Sequence, residues 1–224
     1  MKIGVAIPCY NGHINRLFML LDSIEKQTIL PDKVVVSTSS TKEFKNNNIY
    51  SFPLEIILVE EKNNAAKNRN RAASLLTDMD FITFIDADDL MHPQRIEILL
   101  KVFKEHDSDI ILHNYFDNNC PTNDIFKNVE YKEIIVRVNS LRQHWSGCIE
   151  HKIYCNDNEK IHHGHVSLKQ AIFNNVKFPE EPEFYRKEDC IFCYRVFSLP
   201  NIKNVYISNE LTYYNPSNTQ ILYF

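Results

Sequence analysis

The sequence predicts an α/β protein: a mostly parallel sheet with helices on both faces and a small antiparallel extension. Two observations carry this. Short apolar runs alternate with stretches of helical periodicity through the first half, and several of the runs are apolar throughout, the pattern of strands buried on both faces. A third observation sets the scale: 224 residues, 44% hydrophobic and 24% charged, suffice for one substantial core.

Ile3 to Ile7 is the first strand, stopped by Pro8. Ile14, Leu17, Phe18, Leu21 and Ile24 recur at helical spacing. Pro31-Asp32 turns the chain into a second strand at Val34 to Val36, and Ser37 to Tyr50 reads as a polar loop with a short helix. Leu54 to Val59 is a third strand and Ala65 to Leu76 a helix carrying Lys67, Arg69 and Arg71. Phe81 to Ile85 is a fourth strand running straight into Asp86-Ala87-Asp88-Asp89. The next helix starts at His92-Pro93, with Pro93 at its first position. Asp109 to His113 is a fifth strand.

Beyond Tyr115 the pattern loosens. Tyr131 to Val136 reads as an edge strand, and Leu141 to Ile149 holds the single tryptophan, Trp145. Ile161 to Val166 is strand-like, with His163 and His165 on one face by alternation. Ser167 and Gln170 have capping-box spacing for a helix over Leu168 to Phe173. Asp189 to Phe197 is helical, and Val205 to Ser208 and Leu211 to Tyr214 are two short strands. No Gly-, Pro- or Ser-rich linker divides the chain, so residues 1–224 read as a single domain.

The formal charge of −4 offers no basic excess for a nucleic-acid backbone, which argues against nucleic acid as a partner. No apolar run reaches the roughly 18 residues of a membrane span, and the opening Met1 to Ile7 is too short for a signal core. Six cysteines in a chain of this length read as reduced thiols, which implies a cytoplasmic setting.

The carboxyl ends of strands are where open α/β sheets bind ligands. Two carboxylates one residue apart there, Asp86 and Asp88, can jointly hold a divalent cation, and oxygen ligands favour Mg2+ or Mn2+. A solvated acidic turn capping the next helix has the same spacing.

Several segments together resemble the family-two nucleotide-sugar glycosyltransferases of the GT-A fold. Val5-Ala6-Ile7-Pro8-Cys9-Tyr10-Asn11 resembles that family's first strand and loop, and Ile14 to Gln27 its first helix. Ala65 to Ala72 is similar to its Ala-Arg-Asn-x-Gly segment, Phe84 to Asp89 to its Asp-x-Asp segment, and Glu188-Asp189 to its late acidic pair. The likeness runs from residue 3 to about 113 and is patchy beyond. It implies a nucleotide-binding half over 1–113 and an acceptor-side half over 114–224.

The resemblance also implies roles. Pro8, Tyr10, Asn11, Ser37, Ser39, Arg69, Asp86 and Ala87 would bind the nucleotide. Asp88 and Asp86 would hold the metal, with His163 or His165 as a further ligand. Asp189 would be the base, with Glu188 beside it. Trp145 and Gly147 are acceptor-site candidates, because an aromatic face stacks on the apolar face of a sugar.

Two departures stand out. Ser37-Thr38-Ser39-Ser40 occupies the place where the family carries an aspartate after the second strand, and Tyr213 to Asn218 lacks the family's late histidine. The function implied is metal-dependent, inverting transfer of a sugar from a nucleotide-diphosphate donor, with UDP favoured by family frequency, to a glycan or other hydroxyl acceptor. The chain could act as a homo-oligomer. A catalytically silent glycan-binding or assembly module and a sugar nucleotidyltransferase are the competing readings.

Overall fold

The computed structural model describes residues 1–45, 48–116, 130–146, 150–155 and 159–215. The elements are β1 (Ile3–Tyr10), α1 (Ile14–Glu25), β2 (Lys33–Ser39), β3 (Leu54–Ile57), α2 (Ala65–Ser74), β4 (Phe81–Phe84), β5 (Leu90–Met91), α3 (Arg95–His106), β6 (Ile110–Phe116), β7 (Val136–Val138), β8 (Arg142–Ser146), β9 (Glu150–Tyr154), β10 (Ser167–Lys169), α4 (Gln170–Asn175), α5 (Glu188–Phe197) and β11 (Asn204–Tyr213). Among the described residues they build a nine-stranded sheet in the order β3-β2-β1-β4-β10-β6-β11-β5, with β7 also on β11, and a separate β8-β9 hairpin.

The pairs β1-β2, β1-β4, β2-β3 and β6-β11 are parallel. The antiparallel members are β10, between β4 and β6, and β5 and β7 on β11. Strand alternation divides the core into two layers. Val5, Ile7, Val34 and Val36 face one layer with Leu17 and Leu21 of α1 and Leu99 and Phe103 of α3. Ala6, Val35 and Phe84 face the other, with Ala72 of α2, Phe173 of α4 and Phe192 of α5. No helix among the described residues is long and apolar enough to cross a membrane.

Five local expectations are corrected. β1 continues through Pro8 to Tyr10, because its pairing with β4 ends at Ala6 and leaves one side of the strand unladdered. Ser37 to Ser39 extend β2, and no helix follows among the described residues up to Tyr50. α3 begins at Arg95 behind Gln94, so Pro93 lies before the helix and not at its first position. The edge strand expected at Tyr131 to Val136 forms later, as β7. The two strands expected near the end are one strand, β11, with register shifts at Ile207, Glu210 and Thr212 that absorb the irregularity.

Two corrections bear on the site. Residues His163 to His165 form a 3-10 turn and not a strand, closed by His165 N–H to His162 O at 3.0 Å, so alternation does not set their faces. Gly164 permits the turn: a Cβ there would lie 3.0 Å from Arg69 Nη2 and 3.1 Å from Asp86 Oδ2. Ser167 opens β10 and does not cap a helix; its hydroxyl lies 2.7 Å from that of Thr83 on β4, and Gln170 bonds to Asn174 one turn on.

Candidate active site

A cavity of about 770 Å3 opens at the carboxyl ends of β1, β2 and β4. Pro8 and Tyr10 enter it from β1, Ser39 from β2, Arg69 from α2, Asp86, Ala87 and Asp88 from the turn after β4, and Glu188 and Asp189 from the first turn of α5. Two expected nucleotide contacts stand off its wall, and neither His163 nor His165 lines it. Asn11 is exposed in the turn after β1. Ser37 is fully buried, donating to Asn68 Oδ1 and accepting from Arg71. Asn68 also donates to Cys9 O and to Ser39 Oγ, so it ties β1 to β2 at their carboxyl ends. Trp145 lies on β8 opposite His151, and Gly147 falls outside the described residues.

Arg69 is the electrostatic hub. Asn64 starts α2 by accepting from Lys67 N–H, which aims Arg69 into the sheet ends. Its guanidinium donates to Asp86 Oδ1 at 2.6 Å and to Glu188 Oε1 at 2.8 Å, and lies 5.4 Å from the Phe178 ring centre. Burial works against its charge, but Asp86, Glu188 and Asp189 outweigh burial and hold it firmly cationic. Burial likewise opposes ionisation of Asp189, but Arg69, His163 and His162 outweigh that and hold its carboxyl below the usual range. One Asp189 oxygen accepts from Cys190 N–H at 2.8 Å.

The acidic turn is crowded. Burial and then the Asp86 charge push the Asp88 carboxyl up, although His13 and Arg16 lie 3.9 and 3.7 Å away. Burial, Asp88 and Asp86 push Asp89 much further up. Asp89 is engaged on both oxygens, by His165 Nε2 at 2.6 Å and Asn215 N–H at 2.9 Å. It therefore supports the turn. Beneath it lies Arg95, fully buried, which donates to Thr83, Thr212, Phe84 O and His165 O and is pushed down to about 9 by burial.

His162, from the segment before β10, lines the cavity beside Tyr214. Asp86, His162 and His165 bring potential ligand atoms within 4.8 Å of one another. The two imidazoles are stacked, 4.1 Å between centres and 26° from parallel, so their in-plane lone pairs run side by side and one ring must turn to share an ion. His163 points elsewhere, to Cys190 Sγ and Ile153 N–H. Sequence reasoning did not place Tyr185, Arg186 or Tyr214 at the cavity. The adjacent Glu188-Asp189 pair was the available signal for Tyr185 and Arg186.

A profile described as Glycosyl transferase family 2 matches residues 4–176. This chain belongs to that family. Its relatives include Glycosyltransferase GlyA of Streptococcus pneumoniae serotype 4, 31% identical over 126 residues, which are 53% of this chain and 17% of GlyA. Amylovoran biosynthesis glycosyltransferase AmsB of Erwinia amylovora is 25% identical across 96% of this chain and 70% of its own length. S. aureus TarS 1–349 in complex with UDP is similar in structure, with a TM-score of 0.67 at 21% identity over 96% of this chain and 60% of that one. That likeness covers α5 and β11, beyond the profile match, and shows the GT-A fold expected of a family-two chain.

Proposed function

We propose that this chain is a single catalytic domain that transfers a sugar from a UDP-sugar to a hydroxyl of a glycan or other acceptor, with inversion and with a divalent cation at the donor. The observation that carries the reading is one cavity with two acidic walls: Asp86 and Asp88 after β4, and Glu188 and Asp189 at the start of α5, joined through Arg69. TarS structures contain UDP and UDP-GlcNAc, which supports a uridine nucleotide here. In this reading Pro8, Tyr10, Ser39 and Ala87 cradle the nucleotide, while Asn11 and Ser37 act from behind the wall. Trp145 and Gly147 fall to the acceptor side. A cytoplasmic setting suits a nucleotide-sugar donor.

The acidic turn fits a cation. Asp86 and Asp88 repel each other in a partly buried turn, and a divalent ion relieves that repulsion. Asp86 and Asp88 would hold Mn2+ or Mg2+, with His165 or His162 as a nitrogen ligand; the ion would offset charge on the departing diphosphate. Asp189, ionised at neutral pH, takes the acceptor proton. As the acceptor oxygen bonds to the anomeric carbon, the bond to the diphosphate oxygen breaks and its electron pair leaves with the nucleotide. Attack from the face opposite the leaving group inverts the centre. Glu188, fixed by Arg69, keeps the first turn of α5 in register with the β4 turn.

The test is calorimetric binding of UDP with manganese to the wild type and to Asp88→Ala, followed by NMR of the anomeric configuration once a donor is turned over. Loss of manganese-dependent UDP binding in Asp88→Ala is the expected result. Unchanged affinity for both would refute the cation assignment, and a product of retained configuration would refute the stereochemistry.

A further inference from the structure

A second groove, of about 900 Å3, runs between α2, residues 175–181 and α5. Asn63 lines both this groove and the donor cavity, so the two are neighbours. Four cations line the groove, Lys67, Arg71, Lys177 and Arg195, against two carboxylates, Glu180 and Glu181, in a chain of net charge −4. Among the described residues none of the four cations pairs with a carboxylate, so a concavity gathers four unpaired cations. Their heads rest on neutral groups: Lys177 Nζ lies 3.5 Å from the centre of the Phe173 ring, Arg195 lies 5.4 Å from that of Phe184, and Arg71 donates to Ser37 and Asn68.

The groove is also built in advance. Asn64 donates to Glu180 O, and Asn70 accepts from Phe178 N–H while donating to Phe178 O and to the Glu180 carboxylate. That spends Glu180 on the wall, so four lining cations are set against one remaining lining carboxylate, Glu181. Like charges left unpaired around one concavity repel, and an anion entering it relieves the repulsion. The amides of Asn63 and Asn175 lie among the cations, and amides suit sugar hydroxyls.

We propose that this groove binds an anionic glycan, a chain bearing carboxylates or phosphates, and leads its end to the donor cavity as the acceptor. The acceptor role rests on the sugar-transfer reading; binding of the chain does not. Concavity and interleaved amides favour a glycan over a flat anionic membrane.

The experiment titrates the full chain, without donor, with hexagalacturonate, with phosphorylated maltohexaose and with neutral maltohexaose, at low and at physiological salt. The variants are Lys67→Gln with Lys177→Gln, and Arg195→Gln. At least one charged oligosaccharide binds more tightly than the neutral one, weakens with salt, and loses roughly tenfold in the double variant. Which of the two binds identifies the anionic group. UDP binding, measured in parallel, is unchanged in these variants, so failure of the donor reading is seen separately. Equal binding of charged and neutral chains, wild-type affinity in both variants, displacement by UDP alone, or binding to phosphatidylglycerol vesicles without binding to either charged chain would overturn the proposal.

Discussion

Replacing Arg69 by methionine removes the one group among the described residues that pairs with both acidic walls. The side chains of Arg69, Glu188 and Asp86 are 4%, 11% and 24% exposed, so solvent rescues the stranded carboxylates poorly. Removing one partner of a buried ion pair typically costs about 3–5 kcal/mol. The partial exposure of Asp86 argues for the lower end, about 3 kcal/mol. For a chain of this size each kcal/mol shifts Tm by about 2–4 °C, so the expected fall is about 6–12 °C. Arg69→Lys keeps the charge but a single ammonium cannot bridge two carboxylates with a planar fork, so it recovers roughly half of the loss. The assay is thermal and urea unfolding of both variants, combined with Glu188→Gln in a double-mutant cycle. In the cycle, Glu188→Gln costs less in the Arg69→Met background than in the wild type. A loss under about 1 kcal/mol in Arg69→Met would refute the bridging role, as would strict additivity with Glu188→Gln.

Two further outcomes follow from the same electrostatics. Asp189→Asn lowers transfer by about 10²–10⁴-fold while UDP and manganese binding stay near wild type; full turnover would move the base elsewhere. His113 is buried and held well below the usual histidine range by burial and then by Arg95, so it stays neutral in the folded chain. The unfolded chain takes up that proton first, so stability falls as pH drops below about 6.5, by at most about 1.4 kcal/mol per pH unit from this residue. Urea unfolding across pH 7 to 5 measures the slope. His113→Leu flattens it, and an unchanged slope in that variant would remove His113 as its source.

Strands buried on both faces are legible because they need no polar alternation: Val34-Val35-Val36 feeds both core layers with every residue. The acidic turn was legible for a related reason, since Asp86 to Asp89 directly follow such a strand. β10 was not. Three residues show no periodicity, and Ser167 with Gln170 imitates a helix cap; the Thr83 hydroxyl that claims Ser167 lies 84 residues away in the chain. The choice among His162, His163 and His165 also escaped the sequence. It depends on a turn that Gly164 allows only by fitting against Arg69 and Asp86. Ser37 looked like a ligand contact from its place at a strand end, but Asn68 and Arg71 take its hydroxyl.

The position of β10 has a consequence for how the chain acquires its shape during synthesis. β4 and β6, complete by residue 116, are not neighbours; the strand that joins them is residues Ser167–Lys169. While those residues are still inside the ribosome, the emerging segment up to β6 carries two unsatisfied strand edges facing each other across a gap. His165, which anchors Asp89, is delivered by the same late segment. Construction of the cavity therefore waits for the segment around residues 165–169, and a long loop must close before either edge is protected, which makes folding slow and dependent on non-local contacts.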